Sequence, residues 1–154
     1  MLSVHHIRKA KKEDVSRIAE IYVFNNRINF YPIFKDTSFS FHELQVVPLA
    51  KSLLVDSDTL DNTYVYDDHQ IIKGFIYTKD KEIKKLFVDP FFQGQNIGEK
   101  LLEYAMEYQD ISFLWALEKN IRAIKFYQRH GFSLTNEKKY EEGTDEYLVK
   151  LIQY

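Results

Sequence analysis

The sequence contains no cysteine. Disulfides, thiolate nucleophiles and cysteine-ligated zinc are therefore excluded, and the absence fits a reducing compartment. No apolar run approaches the roughly 18 residues that a membrane span needs. The first residues, Met1 to Lys12, turn charged too early for a secretory signal. A basic excess is also lacking: 21 Lys and Arg stand against 23 Asp and Glu, a formal net charge of −2. A broad nucleic-acid footprint needs a basic face, so neither nucleic acid nor a membrane is an expected partner, and a cytoplasmic protein is the default. No repeat, low-complexity tract or linker interrupts the chain.

What remains is a single compact domain spanning 1–154. Hydrophobic residues make up 45% of it and aromatics 16%, enough for a core and for the lining of a pocket. Val4 to Lys9 reads as a strand. Lys12, Glu13 and Asp14 open a helix whose buried stripe is Val15, Ile18, Ile21 and Tyr22. An irregular aromatic stretch runs from Ile28 to Phe41, and a second helix is expected over Phe41 to Val55, kinked or broken at Pro48. Thr63–Tyr66, Gln70–Thr78 and Glu82–Val88 read as successive strands, with Asp67 to His69 as the first turn and Gly74 as a bulge. Ile97–Tyr108 is a helix and Ile111–Leu117 an apolar strand. Ile121–His130 is a helix between an Asn120 cap and a Gly131 stop. Phe132–Leu134 and Glu146–Ile152 close as a hairpin. This order gives an α/β fold: a mixed, mostly antiparallel sheet of about seven strands with about four helices on its faces.

The strongest local signal is Leu86-Phe87-Val88-Asp89-Pro90-Phe91-Phe92-Gln93-Gly94-Gln95-Asn96-Ile97-Gly98. A strand ends, a turn-prone loop follows, and a helix starts at once. Unpaired N–H groups and the helix dipole converge there, which suits a phosphate or pyrophosphate. Further on, Asn120, Ala123 and Tyr127 lie at spacings of three and four residues and share one helix face. A polar cap, a small residue and a phenol in line can follow an extended ligand. The chain lacks the Lys-Ser/Thr of a P-loop and the paired glycines of a dinucleotide fold, which disfavours a nucleotide-binding domain.

These two segments resemble the acyl-CoA signature of the GNAT superfamily of N-acyltransferases. Gln93, Asn96 and Gly98 fall on its Gln/Arg-x-x-Gly-x-Gly/Ala pattern. Asn96 replaces a glycine there, and Asn is the residue that best tolerates the left-handed backbone expected at that point. The later segment from Trp115 to Phe132 resembles the family's Asn, Ala, Phe-Tyr, Gly-Phe motif. The resemblance covers Gly74 to Phe132. It implies a GNAT-like fold, acetyl-CoA as acyl-donor co-substrate, no metal, and direct attack of an amine on the thioester. The implied donor contacts are Phe87, Val88, Gln93, Gly94, Gln95, Asn96, Ile97, Gly98, Asn120 and Ala123, with Tyr127 at the departing sulfur.

The base is less legible. In several relatives a Glu on the strand before the loop serves, but Lys84 stands at the aligned position. Glu82, two residues earlier and about 6–7 Å away along the strand, is the candidate acting through water; Glu118 and His130 are weaker ones. The resemblance puts the acceptor, a small-molecule or peptide amine, against Phe30, Tyr31 and Phe34. A monomer or a homodimer is expected. A non-catalytic acyl-CoA sensor or partner-binding module also accounts for the phosphate loop, though not for Tyr127.

Overall fold

The computed structural model describes residues 6–153. The part of the expected first strand before His6 lies outside the described residues; the rest pairs as β1 (Ile7–Lys9). A tight turn at Lys12–Asp14 leads into α1 (Val15–Asn25). The buried Asp14 carboxylate closes this turn by accepting the Lys11 N–H at 2.8 Å and two guanidinium N–H groups of Arg8 at 2.8 and 2.9 Å. Ile18 and Ile21 of α1 are buried against the sheet.

The aromatic stretch is more helical than its sequence suggests. It forms a wide turn (Asn26–Phe30), short α2 (Tyr31–Phe34) and a second wide turn (Phe39–Glu43). The helix expected from Phe41 breaks before Pro48, at the extended residues Leu44 and Gln45. Pro48 then lies in the first turn of α3 (Val46–Val55), where its missing N–H has no intrahelical partner to lose. A further short helix, α4 (Ser57–Asp61), is capped by Asp56, which accepts the Thr59 N–H at 3.1 Å.

The sheet has seven strands in the order β1-β2-β3-β4-β5-β7-β6, with β2 (Thr63–Asp68), β3 (Ile71–Lys79), β4 (Glu82–Val88), β5 (Phe113–Leu117), β6 (Phe132–Tyr140) and β7 (Tyr147–Gln153). Helices α5 (Ile97–Tyr108) and α6 (Ile121–Arg129) follow β4 and β5. The fold class is as expected, with six helices among the described residues rather than about four. The first hairpin turns at His69 and Gln70, both at positive φ (52° and 73°), so Asp67 and Asp68 belong to β2. Strand β6 runs six residues beyond the expected Leu134, because its later half pairs with β7 beyond a register shift. One core lies between the sheet and α1, around Ile21, Val65 and Phe75; the other lies under α5 and α6, around Ile76, Leu101, Leu102 and Leu114.

One pairing decides where a site can form. Every neighbouring pair in the sheet is antiparallel except β4 and β5. Those two run parallel and pair only at Glu82–Phe113 and Ile83–Leu114. Beyond that point they separate, and the open wedge leaves one edge of β4 unpaired in the middle of the sheet.

Candidate active site

The wedge opens onto two cavities. One, of about 580 Å³, extends toward α1 and the aromatic turns. The other, of about 440 Å³, extends along the loop before α5 and the side of α6. Phe30, Leu86, Phe87, Asn120, Ala123 and Tyr127 line both, so the cavities meet at the centre of the wedge.

The second cavity is built by the loop between β4 and α5. Asp89 anchors it: its carboxylate accepts the Phe91 N–H at 2.8 Å and a guanidinium N–H of Arg17 at 2.8 Å. Asn25 of α1 donates to the Val88 carbonyl at 2.9 Å and fixes the end of β4. Gly94 adopts φ 81° and Asn96 φ 61°, ψ 21°, the left-handed backbone anticipated for that asparagine. The first bond of α5 runs from Lys100 N–H to the Asn96 carbonyl at 3.0 Å. The N–H groups of Ile97, Gly98 and Glu99 thus have no intrahelical acceptor and sit at the positive end of the helix dipole. At Gly98 an added Cβ would lie 3.6 Å from Val88 Cγ2 and 3.7 Å from Phe126 Cζ, ordinary contacts. Packing of the protein itself therefore does not demand glycine there.

Helix α6 supplies two arginines that the sequence did not mark as site residues. Arg122 and Arg129 line the second cavity, as does His130 just beyond the helix, and Arg122 donates to the Gln93 side-chain oxygen at 3.2 Å. The signal was present: residues 122 and 129 are seven apart and share a helix face that leads toward the loop. Asn120 caps α6 by accepting the Ala123 N–H at 3.3 Å. Tyr127 is buried beside Phe126 and Phe132, with ring centroids 5.2 and 5.6 Å away. No buried polar side-chain atom among the described residues lacks a partner, so its hydroxyl, which bonds no protein group there, opens onto the cavities. Burial pushes its phenol well above the ordinary tyrosine value.

On β4, Asp89 N–H donates to Lys73 carbonyl on the β3 side at 2.8 Å. Backbone direction alternates along a strand, so the Phe87 N–H also faces β3 and the Val88 N–H points into the wedge. A bulge lies farther back: Tyr77 pairs with Lys85 and Thr78 with Ile83, leaving Lys84 as the extra residue. Ile83 consequently enters the α5 core, whereas Lys85 and Phe87 face α1.

Glu82 lines neither cavity; it pairs with Phe113 at the closed end of the wedge, and its carboxylate contacts the Lys84 ammonium at 3.0 Å. Glu118 is paired with Lys138. Phe30 and Phe34 line the first cavity, but Tyr31 lies outside it, with its ring on Phe41 and its hydroxyl 3.1 Å from Thr37 Oγ1. Three carboxylates without an ion-pair partner among the described residues line that cavity: Asp36, Glu141 and Glu142. The last two come from the β6–β7 turn, more than fifty residues beyond β4 in sequence.

Residues 60–134 match the family described as acetyltransferase (GNAT) domain. An uncharacterized N-acetyltransferase of Archaeoglobus fulgidus is 31% identical over 79% of this chain and 88% of that protein. The peptidyl-lysine N-acetyltransferase YjaB of Salmonella typhimurium is 31% identical over 51% of this chain and 55% of that protein. Among solved structures, the PaiA N-acetyltransferase of Thermoplasma acidophilum in complex with coenzyme A gives a TM-score of 0.70 at 20% identity, covering 94% of this chain and 96% of that one. Apo YjaB of Escherichia coli gives 0.67 at 20% identity, covering 95% of both chains. Sequence likeness over most of a relative's length and a shared fold agree: the chain belongs to the GNAT family of acetyltransferases and is an acyltransferase rather than a nucleotide-binding domain.

Proposed function

We propose that the protein transfers an acetyl group from acetyl-CoA to a primary amine, on a small molecule or a peptide, by direct attack within a ternary complex. The observation that carries this reading is the meeting of two cavities across an unpaired stretch of β4. The pyrophosphate of coenzyme A would take the N–H groups of Gln93 to Gly98 and the cations of α6, with its pantetheine arm along Asn120 and Ala123. The thioester would then reach the wedge, where a carbonyl oxygen can accept the Val88 N–H.

The amine enters from the other cavity. Aromatic walls from Phe30 and Phe34 and the three carboxylates Asp36, Glu141 and Glu142 favour a cationic acceptor in its approach. The amine must then lose a proton. For a lysine-like group near pKa 10.4 the neutral form costs about 4–5 kcal/mol at neutral pH, and for an α-amine near 8 about 1–1.5 kcal/mol. Glu82, held by Lys84 outside the cavity, would reach such a proton only through water.

Tyr127 faces the leaving sulfur. A thiol near pKa 8.5 is already more acidic than an ordinary phenol near 10, and burial raises this phenol further. The hydroxyl therefore acts as a hydrogen-bond donor to the developing thiolate, not as its proton source.

An acceptor screen with acetyl-CoA, read as free thiol release, tests the reaction, and titration calorimetry with acetyl-CoA alone tests the donor site. No heat at millimolar acetyl-CoA would sink the proposal.

A further inference from the structure

The cavity read as the amine site already contains an amine. Lys85 lines it, half-buried, with its Nζ 4.2 Å from the centroid of the Tyr22 ring. It forms no ion pair or hydrogen bond among the described residues, whereas its neighbour Lys84 is exposed and paired with Glu82. Strand alternation puts Lys85 on the α1 face with Phe87, whereas the bulge leaves Lys84 without a partner on β3. Burial alone pushes the Lys85 amine below the ordinary lysine range, which enlarges its neutral, nucleophilic fraction. An anchoring role for a ligand carboxylate fits less well, since the cavity's three unpaired carboxylates oppose an anionic group.

The reach is adequate. Lys85 and Phe87 are alternate residues of one strand, about 6–7 Å apart at Cα, and Phe87 lies where the two cavities join. A lysine side chain spans a similar length. We infer that Lys85 is an internal acyl acceptor: with acetyl-CoA bound and no external amine present, the protein acetylates its own Lys85. The Nζ lone pair attacks the thioester carbonyl carbon. The C–N bond forms, the C–S bond breaks, and the proton lost from nitrogen passes through cavity water to the released thiolate. The products are acetyl-lysine and free coenzyme A.

This inference rests on the acetyl-transfer reading above, and its test separates the two. The purified wild-type protein is incubated with acetyl-CoA alone, and acetylation is located by peptide mass spectrometry. Lys85 should be modified first, with a rate that saturates in acetyl-CoA. It should exceed Lys84 on the order of tenfold or more, because a bound thioester raises effective concentration only for the amine beside it. Tyr127→Phe should slow Lys85 without slowing the exposed lysines. If calorimetry shows acetyl-CoA binding but Lys85 is modified no faster than Lys84, the inference is wrong and the acetyl-transfer reading survives. If acetyl-CoA does not bind, both fall.

Discussion

Replacing Tyr127 by Phe isolates one atom. The ring keeps its edge-to-face packing on Phe126 and Phe132, and the removed hydroxyl bonds no other protein group among the described residues. Folding stability should therefore change by less than about 1 kcal/mol. The proposed role makes the expected catalytic loss larger, because the hydroxyl would meet charge only as the C–S bond breaks. A hydrogen bond to a charged partner contributes about 1.5–3 kcal/mol. At about 1.4 kcal/mol per factor of ten, that lowers kcat by about 10- to 150-fold. Affinity for acetyl-CoA should move little, since the thioester sulfur is a weak acceptor before reaction. The assay is thiol release against acceptor concentration, with acetyl-CoA affinity by calorimetry and thermal unfolding as a control. Because burial holds the phenol protonated beyond the usual range, the wild-type profile should show no tyrosine limb below about pH 10. An unchanged kcat, or a loss of acetyl-CoA affinity equal to the loss of kcat, would refute the leaving-group role.

Three further outcomes are expected. Gly98→Ala should raise stability by about 0.5–1 kcal/mol, the helix preference for Ala over Gly, because its methyl meets only ordinary contacts; it should weaken acetyl-CoA binding, and calorimetry beside thermal unfolding reads both. Gly74→Ala should lower stability by about 1–3 kcal/mol. The new Cβ would lie 2.9 Å from the Phe87 carbonyl oxygen and 3.2 Å from both Ile97 and Leu101, so denaturant unfolding should show the loss. Burial raises the Asp14 carboxyl, but the Arg8 bonds and the Lys11 N–H outweigh it and hold the group below the usual carboxylate range. A lowered folded value means stability that is present above about pH 4, the unfolded value, and that disappears as pH falls through the folded one. Asp14→Asn should flatten that acid limb of the unfolding temperature and cost about 1.5–3 kcal/mol at neutral pH.

Much of the local structure of the loop before α5 and of α6 was legible because its signals are local. The bounds of α5 follow from a turn-prone loop and an apolar stripe, and Asn96 in the left-handed region follows from the sterics of one residue. Asn120 caps α6 and Gly131, at φ 93°, ends it, each by interactions within four residues. The aromatic stretch was less legible: a hydrophobic run from Phe41 across Pro48 fits one kinked helix as well as a wide turn followed by a fresh start at Gln45. Tyr31 and Phe34 look alike in sequence, yet only Phe34 reaches the cavity, because α2 turns one inward and the other onto Phe41.

By itself, then, the sequence determined the strand-loop-helix that presents free N–H groups and the Asn120–Ala123–Tyr127 face, since periodicity and backbone sterics act over a few residues. Only the tertiary structure decided how far β4 and β5 stay paired, and hence where the sheet opens. It also put the bulge at Lys84, which turns Ile83 into the α5 core, it held Glu82 on Lys84 outside both cavities, and it brought Glu141 and Glu142 from the far hairpin to the cavity that Lys85 lines. These are properties of register and of contacts between distant segments. A one-residue slip in pairing exchanges which side chains face which side, and nothing within the KEIKKLFV stretch alone records that slip.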